Sequence, residues 1–416
     1  MSCPDCCESA KFVDYRATSV MTLMGEARYF RAYYHCEHCH HGWFLTDGEM
    51  GVEQKQTRGC REVVSLTGTL EPFVEAAERL LVKLTGINMS ASTVRRVTEA
   101  VGNDVAERRA AGETLGPATP WDWERDAIGK RVAYVGLDAT SVPQQGLGAK
   151  KAEGRMPWVG SVFNPQPMHA RAASQSAPPP ENPLADGSTN KTLKTNTESV
   201  GHRKRPRVWP TRYVSGVMTL EEIGQQLRRE CQAVGVAEAD IVIGLTDGGN
   251  GLETCLEATV LSGLAREIVL ILDFFHACEH VQEFAKIWQP NEALRKTQIE
   301  AWCHQLKHEG GQVLLEEFEA LDISGAKQEV QEAHRKLTGY IRKNLHRMDY
   351  PNYIARGWQI GSGEIESACK GVVNRRLKST GMRWGLPGTT DLCQLRALYR
   401  SESCLWDVYW SRILMS

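Results

Sequence analysis

No stretch of this 416-residue chain runs to about twenty apolar residues, so the sequence offers no membrane span. The opening MSCPDCCESAKF lacks the apolar centre of a signal peptide, and the expectation is an intracellular protein. Charge of one sign is missing too. Forty-nine Lys and Arg face 51 Asp and Glu, for a net charge of −2. That removes any global basic signature for nucleic acid, although cations can still gather on one face. An even disulfide framework is excluded as well, because the thirteen cysteines are scattered and odd in number. In a reducing compartment they read as buried thiols or metal ligands.

What is present divides into three stretches. Residues 1–62 hold two cysteine pairs around a segment rich in Tyr, Phe and Thr, read as short strands of a zinc-ribbon-like segment. Residues 63–115 turn helical. Phe73, Ala76, Ala77, Leu80, Leu81 and Leu84 form an amphipathic stripe that stops at Gly86, and Ser90 or Ser92 caps a second helix. Such a pair is either an ordinary helical hairpin or a DNA-binding helix-turn-helix. In the second case the hydroxyls and the cations Arg95 and Arg96 open the recognition helix. Residues 130–416 alternate apolar β-rich runs (131–140, 156–164, 211–218, 240–249, 267–276) with helical ones, which predicts a mixed α/β sheet. Within it, 165–205 is rich in Pro, Ser, Asn and Thr and reads as a disordered loop, and 281–350 reads as a helical insertion.

Cys3-x-x-Cys6 and Cys36-x-x-Cys39 are separated by 29 residues. Each pair can bite one Zn²⁺ from a tight knuckle, and two knuckles complete a closed, structural Cys₄ site. A β-hairpin can span the gap, which exceeds the usual spacing. His35, His38, His40 and Cys7 are substitute ligands, and unligated thiols are the plain alternative.

Asp138, Asp247 and Asp273 each close an apolar β-run. Such an Asp is often only the cap of the next helix, and Asp273 fits that description best. Asp247 precedes Gly248-Gly249, where the backbone can turn sharply and approach a ligand. Strand ends are where α/β sheets place ligand sites. Clustered carboxylates need cations, and an open oxygen-rich site suits two Mg²⁺ or Mn²⁺ ions working on a phosphodiester. The third acid is Glu364 or Glu366, two apart on a helix and so on different faces. With Ile365, Ala368, Cys369, Val372 and Val373 as the buried stripe, Glu366 falls on its edge near Val373 and Leu377, and Glu364 falls beside Arg375. Glu366 is therefore the predicted ligand, as the part-buried acid of the two.

The run IGSGEIESACKGVVNRRLKSTGMRW (360–384) resembles the signature region of the ISKra family of bacterial insertion-sequence transposases. The similarity extends to the Cys-x-x-Cys pairs, GLDAT, LTDGGNG, LDFFHACEH and HRMDYPNYIARGWQIGSG. It implies a DDE transposase with a ribonuclease-H-like fold and an all-helical insertion before the last acid, with Asp138, Asp247 and Glu366 as the triad. Asp273-x-x-His276 is similar to an Asp/Cys-x-x-His signature that supports the active site in related transposases. Glu364 stands where the family has a small or apolar residue, and 144–210 is longer and more polar than the family pattern.

The expected activity is Mg²⁺-dependent cleavage and strand transfer of an insertion-sequence DNA element. Its partners would be element ends and target DNA, with a homo-oligomer assembled on DNA in the bacterial cytoplasm, associated with the nucleoid. One alternative is a catalytically inactive, transposase-derived, zinc-dependent DNA-binding protein; another is a nuclease that cuts but cannot join. Arg375, Arg376, Lys378 and Arg383 read as phosphate contacts after the last acid, or as a solvated face. Trp358 and Trp384 read as core aromatics, with base stacking as the other possibility.

Overall fold

A computed structural model describes residues 1–44, 51–146, 154–165, 209–249, 251–402 and 405–412. Nearly all of the loop expected over 165–205 lies outside them. Near the N-terminus, β1 (Ala10–Thr22) and β2 (Gly25–Cys36) form an antiparallel hairpin turned at Gly25 (φ +106°), and β3 (Gly42–Phe44) pairs with β2. The hairpin closes the gap between the cysteine pairs, because its first pairing sets Ala10 opposite Cys36.

Three helical stretches follow. Helix α1 is Arg58–Leu70; α2 runs through Phe73–Glu75, a wider π segment Ala76–Leu81, and Val82–Thr85; α3 is Ala91–Ala110. Gly86, at φ +72°, ends α2 in the left-handed region that glycine tolerates. The Ser90 hydroxyl then accepts the Thr93 N–H and starts α3. Val64, Ala76, Ala77, Leu81, Ile87, Val94 and Val97 fill the space between these helices.

The remainder is built on a five-stranded mixed sheet. Strands β4 (Val132–Ala139), β5 (Trp158–Phe163) and β6 (Thr211–Gly216) form an antiparallel meander. Strands β7 (Ile241–Thr246) and β8 (Ile268–Leu272) add in parallel on the other side of β4, giving the order β8-β7-β4-β5-β6. Both faces are covered, which is why these strands read as near-continuous apolar runs. On one face Ala133, Val135 and Leu137 pack with α4 (Leu220–Ala233) and with the helix Leu252–Thr254 that continues as a π segment to Val260. On the other, Val132, Tyr134, Ile243 and Ile271 pack against five helices: α5 (Phe274–Trp288), α6 (Glu292–Glu309), α7 (Gly311–Ala320), α8 (Gln328–Asn344) and α9 (Tyr350–Ala355). Three more follow: α10 (Gly363–Ala368, π segment Cys369–Asn374, Arg375–Leu377), α11 (Leu386–Arg400) and α12 (Leu405–Arg412). Among the described residues no helix is long and apolar enough to cross a membrane.

The helices of 58–110 do not stand apart from the sheet. Gly102 lets α3 approach α11 so closely that a Cβ there would lie 2.4 Å from the Asp391 carbonyl oxygen. Val101 and Val105 share a core with Leu395, Leu398, Trp406 and Trp410. Arg109, 2% exposed, donates to the Gln394 side chain at 2.7 Å and the Tyr213 carbonyl at 3.2 Å. Arg396 reaches from α11 to the carbonyls of Val372 and Thr69, 2.6 Å each. Arg212 on β6, 1% exposed, pairs with Glu230 of α4 and Glu402 after α11 and donates to the Pro117 carbonyl.

Two outcomes follow from this seam. Removing one partner of a buried ion pair strands the other, so Arg212→Ala should cost about 3–5 kcal/mol, read as a lower urea midpoint with unchanged slope. Burial, with Glu99 and Glu107 adding to it, lifts the Asp391 carboxyl to about 7. A carboxyl raised above its unfolded value of about 3.9 destabilises the fold as pH rises from about 4 through 7. Asp391→Asn should therefore raise Tm at pH 8 and leave it unchanged at pH 4. A Tm gain of equal size at both pH values would contradict this.

Candidate active site and metal centre

The sheet register brings the acids together. Gly136 pairs with Leu245 in the parallel β4–β7 ladder, so two residues on, Asp138 and Asp247 leave adjacent strands side by side. Leu272 pairs with Thr246, which puts Asp273 next in the row. Asp138 is half-buried, and its Oδ1 accepts the Ala139 N–H at 2.6 Å. Asp247 is also half-buried; its Oδ1 accepts the Gly249 N–H at 2.8 Å across a turn in which Gly248 stands at φ +85°. A Cβ on Gly248 would lie 2.8 Å from Leu272 Cδ1, so the expected sharp turn needs glycine for its space as well as its φ.

The third acid arrives on α10, which sits on β4 where Gly136 has no side chain: a Cβ there would lie 3.2 Å from Ile365 Cβ. The Asp138 carboxyl is raised first by burial, against the Ala139 N–H, and then by the negative charges of Asp247 and Glu366. Glu364 instead bears on Tyr213, where it adds to the effect of burial in raising the phenol. Glu366 is thus the neighbour of Asp138. The burial expected for it is reversed, however: Glu366 is exposed and Glu364 is partly covered. The phase argument assumed 100° per residue up to Val373 and Leu377, whereas the helix widens into a π segment at Cys369.

Asp273 is almost fully buried, and its carboxylate is used up as a structural clamp. Oδ1 accepts the N–H groups of Phe275 and His276 at 2.6 and 3.0 Å and caps α5. Oδ2 accepts the Ser362 N–H at 2.8 Å and the Ser362 hydroxyl. Ser362 precedes α10, and its Oγ lies 3.5 Å from Glu366 Oε1, so the clamp orients the third acid. The His276 ring meets Glu279 at 3.1 Å and the His280 ring at 5.0 Å. His280 stacks on Tyr340 with ring centres 3.9 Å apart.

The sequence reading placed Cys369 in the buried stripe and Lys378 among the phosphate contacts but not beside Asp138, and it missed Arg347. Cys369 Sγ lies 3.6 Å from Asp138 Oδ2. Lys378 donates to Thr140 Oγ1 at 2.7 Å, two residues beyond Asp138. Arg347, 2% exposed, donates to Thr246 Oγ1 at 3.0 Å and lies 3.5 Å from Glu253, bracing the turn that carries Asp247. None of these follows a strand-end or spacing rule; only the helices between β8 and α10 deliver Arg347 to the turn.

The expected phosphate contacts are not alike. Arg375, Lys378, Arg383, Arg95 and Arg96 are exposed, and Arg95 bonds Glu99 at 2.8 Å. Arg376 is 1% exposed and packs against both rings of the edge-on Phe73–Trp384 pair, at 4.6 and 5.0 Å from their centres. Trp358 and Trp384 are both buried, as core aromatics should be.

At the other end of the chain, the sulfurs of Cys3, Cys6, Cys36 and Cys39 all lie within 4.8 Å of one another, so this cluster could hold a metal ion such as zinc. Among the described residues it is the sole group of three or more ligand atoms that close; the three acids spread wider. Cys3 and Cys36 are buried, and the Cys39 and His38 N–H groups help hold the Cys36 thiol down to about 7. That is the N–H···S geometry of a knuckle, and it favours the thiolate a metal needs. Of the substitute ligands, His40 and Cys7 are exposed at positive φ, His38 is exposed and His35 half-buried.

No protein-family model matches this chain, and no curated protein matches it in sequence.

The cluster predicts one zinc per chain by elemental analysis. Cys36→Ser should reduce it to a small fraction, and removal of the metal by a strong chelator should open residues 1–44 to protease while 58–400 persists. Zinc retained at full stoichiometry in Cys36→Ser would rule out this ligand set.

Proposed function

We propose that the chain is a DNA transposase of the DDE type on a ribonuclease-H-like fold. The observation that carries this reading is that Asp138 and Asp247 end adjacent parallel strands and that Asp138 feels the charges of both Asp247 and Glu366. The support for the fold is its strand order: an antiparallel meander, two parallel strands added beside its first strand, and helices between the last strand and the third acid. The run 360–384, whose resemblance suggested the family, supplies both Glu366 and the cations after it.

The donor set fits Mg²⁺ or Mn²⁺. It is made of carboxylates, partly open to solvent, and Asp138 carries the repulsion of two like charges. When bound there, such ions supply a positive field for the attacking and leaving oxygens of a phosphodiester. The chain's own residues do the positioning. Ala139 and Gly249 N–H groups fix the Asp138 and Asp247 carboxylates, and Ser362 with Asp273 fixes the start of α10. Lys378 stands over Thr140, where it can meet a phosphate of the strand being cut. On the first two turns of α3, Ser92, Arg95 and Arg96 are exposed and suit a groove or backbone contact with an element end, in keeping with a helix-turn-helix role. A 3′-hydroxyl released by hydrolysis would then attack target DNA at the same acids, within a homo-oligomer assembled on the two ends.

The test is cleavage and joining of duplexes that carry the sequences flanking this gene, with Mg²⁺. Asp138→Asn, Asp247→Asn and Glu366→Gln should each lose at least about a hundredfold in rate. Glu364→Gln should stay within about threefold of the parent, and circular dichroism should show all four folded. Full cleavage by all three triad variants would sink the assignment. Cleavage without joined product would reduce it to a nuclease, and specific end binding without cleavage to a DNA-binding protein.

A further inference from the structure

A cleft of about 250 Å³ lies beyond the C-terminal end of α10, where α2 and α3 meet the turn 381–385. Its walls carry Phe73, Arg95, Gln145, Arg376, Arg383 and Trp384, and no acidic side chain lines it. The volume is below the roughly 300–1,000 Å³ of pockets that enclose a whole small molecule. It suits a group on a larger ligand.

The decisive feature is Arg376. Its Nε donates to the Gly68 carbonyl at 3.1 Å, and its Nη1 touches Met382 Sδ at 3.8 Å. Its Nη2 is buried and makes no hydrogen bond, and Arg376 is one of the residues that line the cleft. Buried charged donors are normally satisfied, because leaving one unmade costs more than a surface contact returns. Burial, with the Arg396 charge adding to it, lowers Arg376 to about 10 against the opposing pull of the Glu71 and Glu99 charges. Exposed Arg95 and Arg383 share the same walls from α3 and from the turn.

We propose that this cleft binds a phosphate of the DNA backbone, with Arg376 as its buried donor and Arg95 and Arg383 closing on the same group. A guanidinium fork matches the oxygens of a phosphate, and the Phe73 and Trp384 rings offer an apolar wall to the adjoining sugar. Ten residues of α10 separate Glu366 from Arg376, roughly 15 Å, or about four steps of one DNA strand. The same strand could thus lie at the acids and in the cleft. The proposal rests on the transposase reading only for the identity of the molecule that carries the phosphate.

The experiment is fluorescence anisotropy of a labelled duplex in EDTA, repeated over a range of salt. Arg95→Glu/Arg383→Glu should weaken binding at least about tenfold and lower the slope of log Kd against log salt by about one to two. Arg376→Lys, which keeps the charge but loses the fork, should weaken it severalfold with its Tm near that of the parent. Arg335→Glu, on α8, should bind as the parent does. Unchanged affinity and slope in the double variant overturn the proposal. So does a thermal shift by inorganic phosphate that the double variant abolishes while duplex binding stays intact, since the cleft would then serve a small free anion. Because no divalent cation is present, cleft-dependent binding can hold in a chain that never cuts DNA. Cutting can equally survive in a chain whose cleft variants bind normally, so the two readings fail separately.

Discussion

Parallel pairing of β4 with β7 forces two carboxylates to leave neighbouring strands side by side, and much of the molecule is arranged around that repulsion. The charge of Asp247 adds to burial in raising the Asp138 carboxyl. Glu366 adds a third charge. What holds the acids in place is mostly not charge. Two backbone N–H groups fix the two aspartates, and the apolar layers on both faces of the sheet fix the strands. Gly136 fixes the height of α10, and the Asp273–Ser362 clamp fixes its start. On the transposase reading proposed above, divalent cations would offset the cost of crowding these acids.

The second constraint is the seam between the helices of 58–110 and the sheet. It is tied by buried arginines whose partners are backbone carbonyls and polar side chains: Arg109 to Tyr213 and Gln394, Arg376 to Gly68, Arg396 to Thr69 and Val372. Carbonyl partners leave these cations uncompensated, unlike Arg212 with its two glutamates. The seam therefore gathers positive charge beside the surfaces that the proposed function turns towards DNA, although the chain as a whole is slightly acidic. It also fixes α3 rigidly to the acids, so a duplex held by the start of α3 would be presented to the sheet at a set distance.

The five strands were legible in the sequence because each is an apolar β-rich run, and the ends of β4 and β7 disclosed their acids. The cysteine quartet was legible from its spacing. Other elements were hidden for identifiable reasons. Helix α1 reads as a weak helix former, with Gly59, Gly68, Thr67 and Thr69 inside it, and burial of Thr67, Gly68 and Thr69 stabilises it. Helix α11 is buried on nearly all sides, so it shows no amphipathic stripe, and a Pro-Gly-Thr-Thr opening masks its start. Glu366 was chosen over Glu364 for a degree of burial it does not have, and periodicity could not foresee the π segment that follows. Arg347 and Ser362 were out of reach altogether, because their roles depend on where the helices after β8 return to the sheet.

That π segment ties these threads together. An α-helix from Gly363 to Leu377 would keep one phase throughout, committing a single face to the sheet. With one wider turn between Cys369 and Asn374, the first half of α10 sets Ile365 on Gly136 and Cys369 against Asp138. The second half turns Arg376 inward beneath Phe73 while Arg375 and Lys378 stay in solvent. One helix thus joins the acids at its start to the arginine cleft at its end. Ile365 and Arg376 lie eleven residues apart, about three turns, so both face inward, and the π segment between them shifts the register of the second half without changing that face.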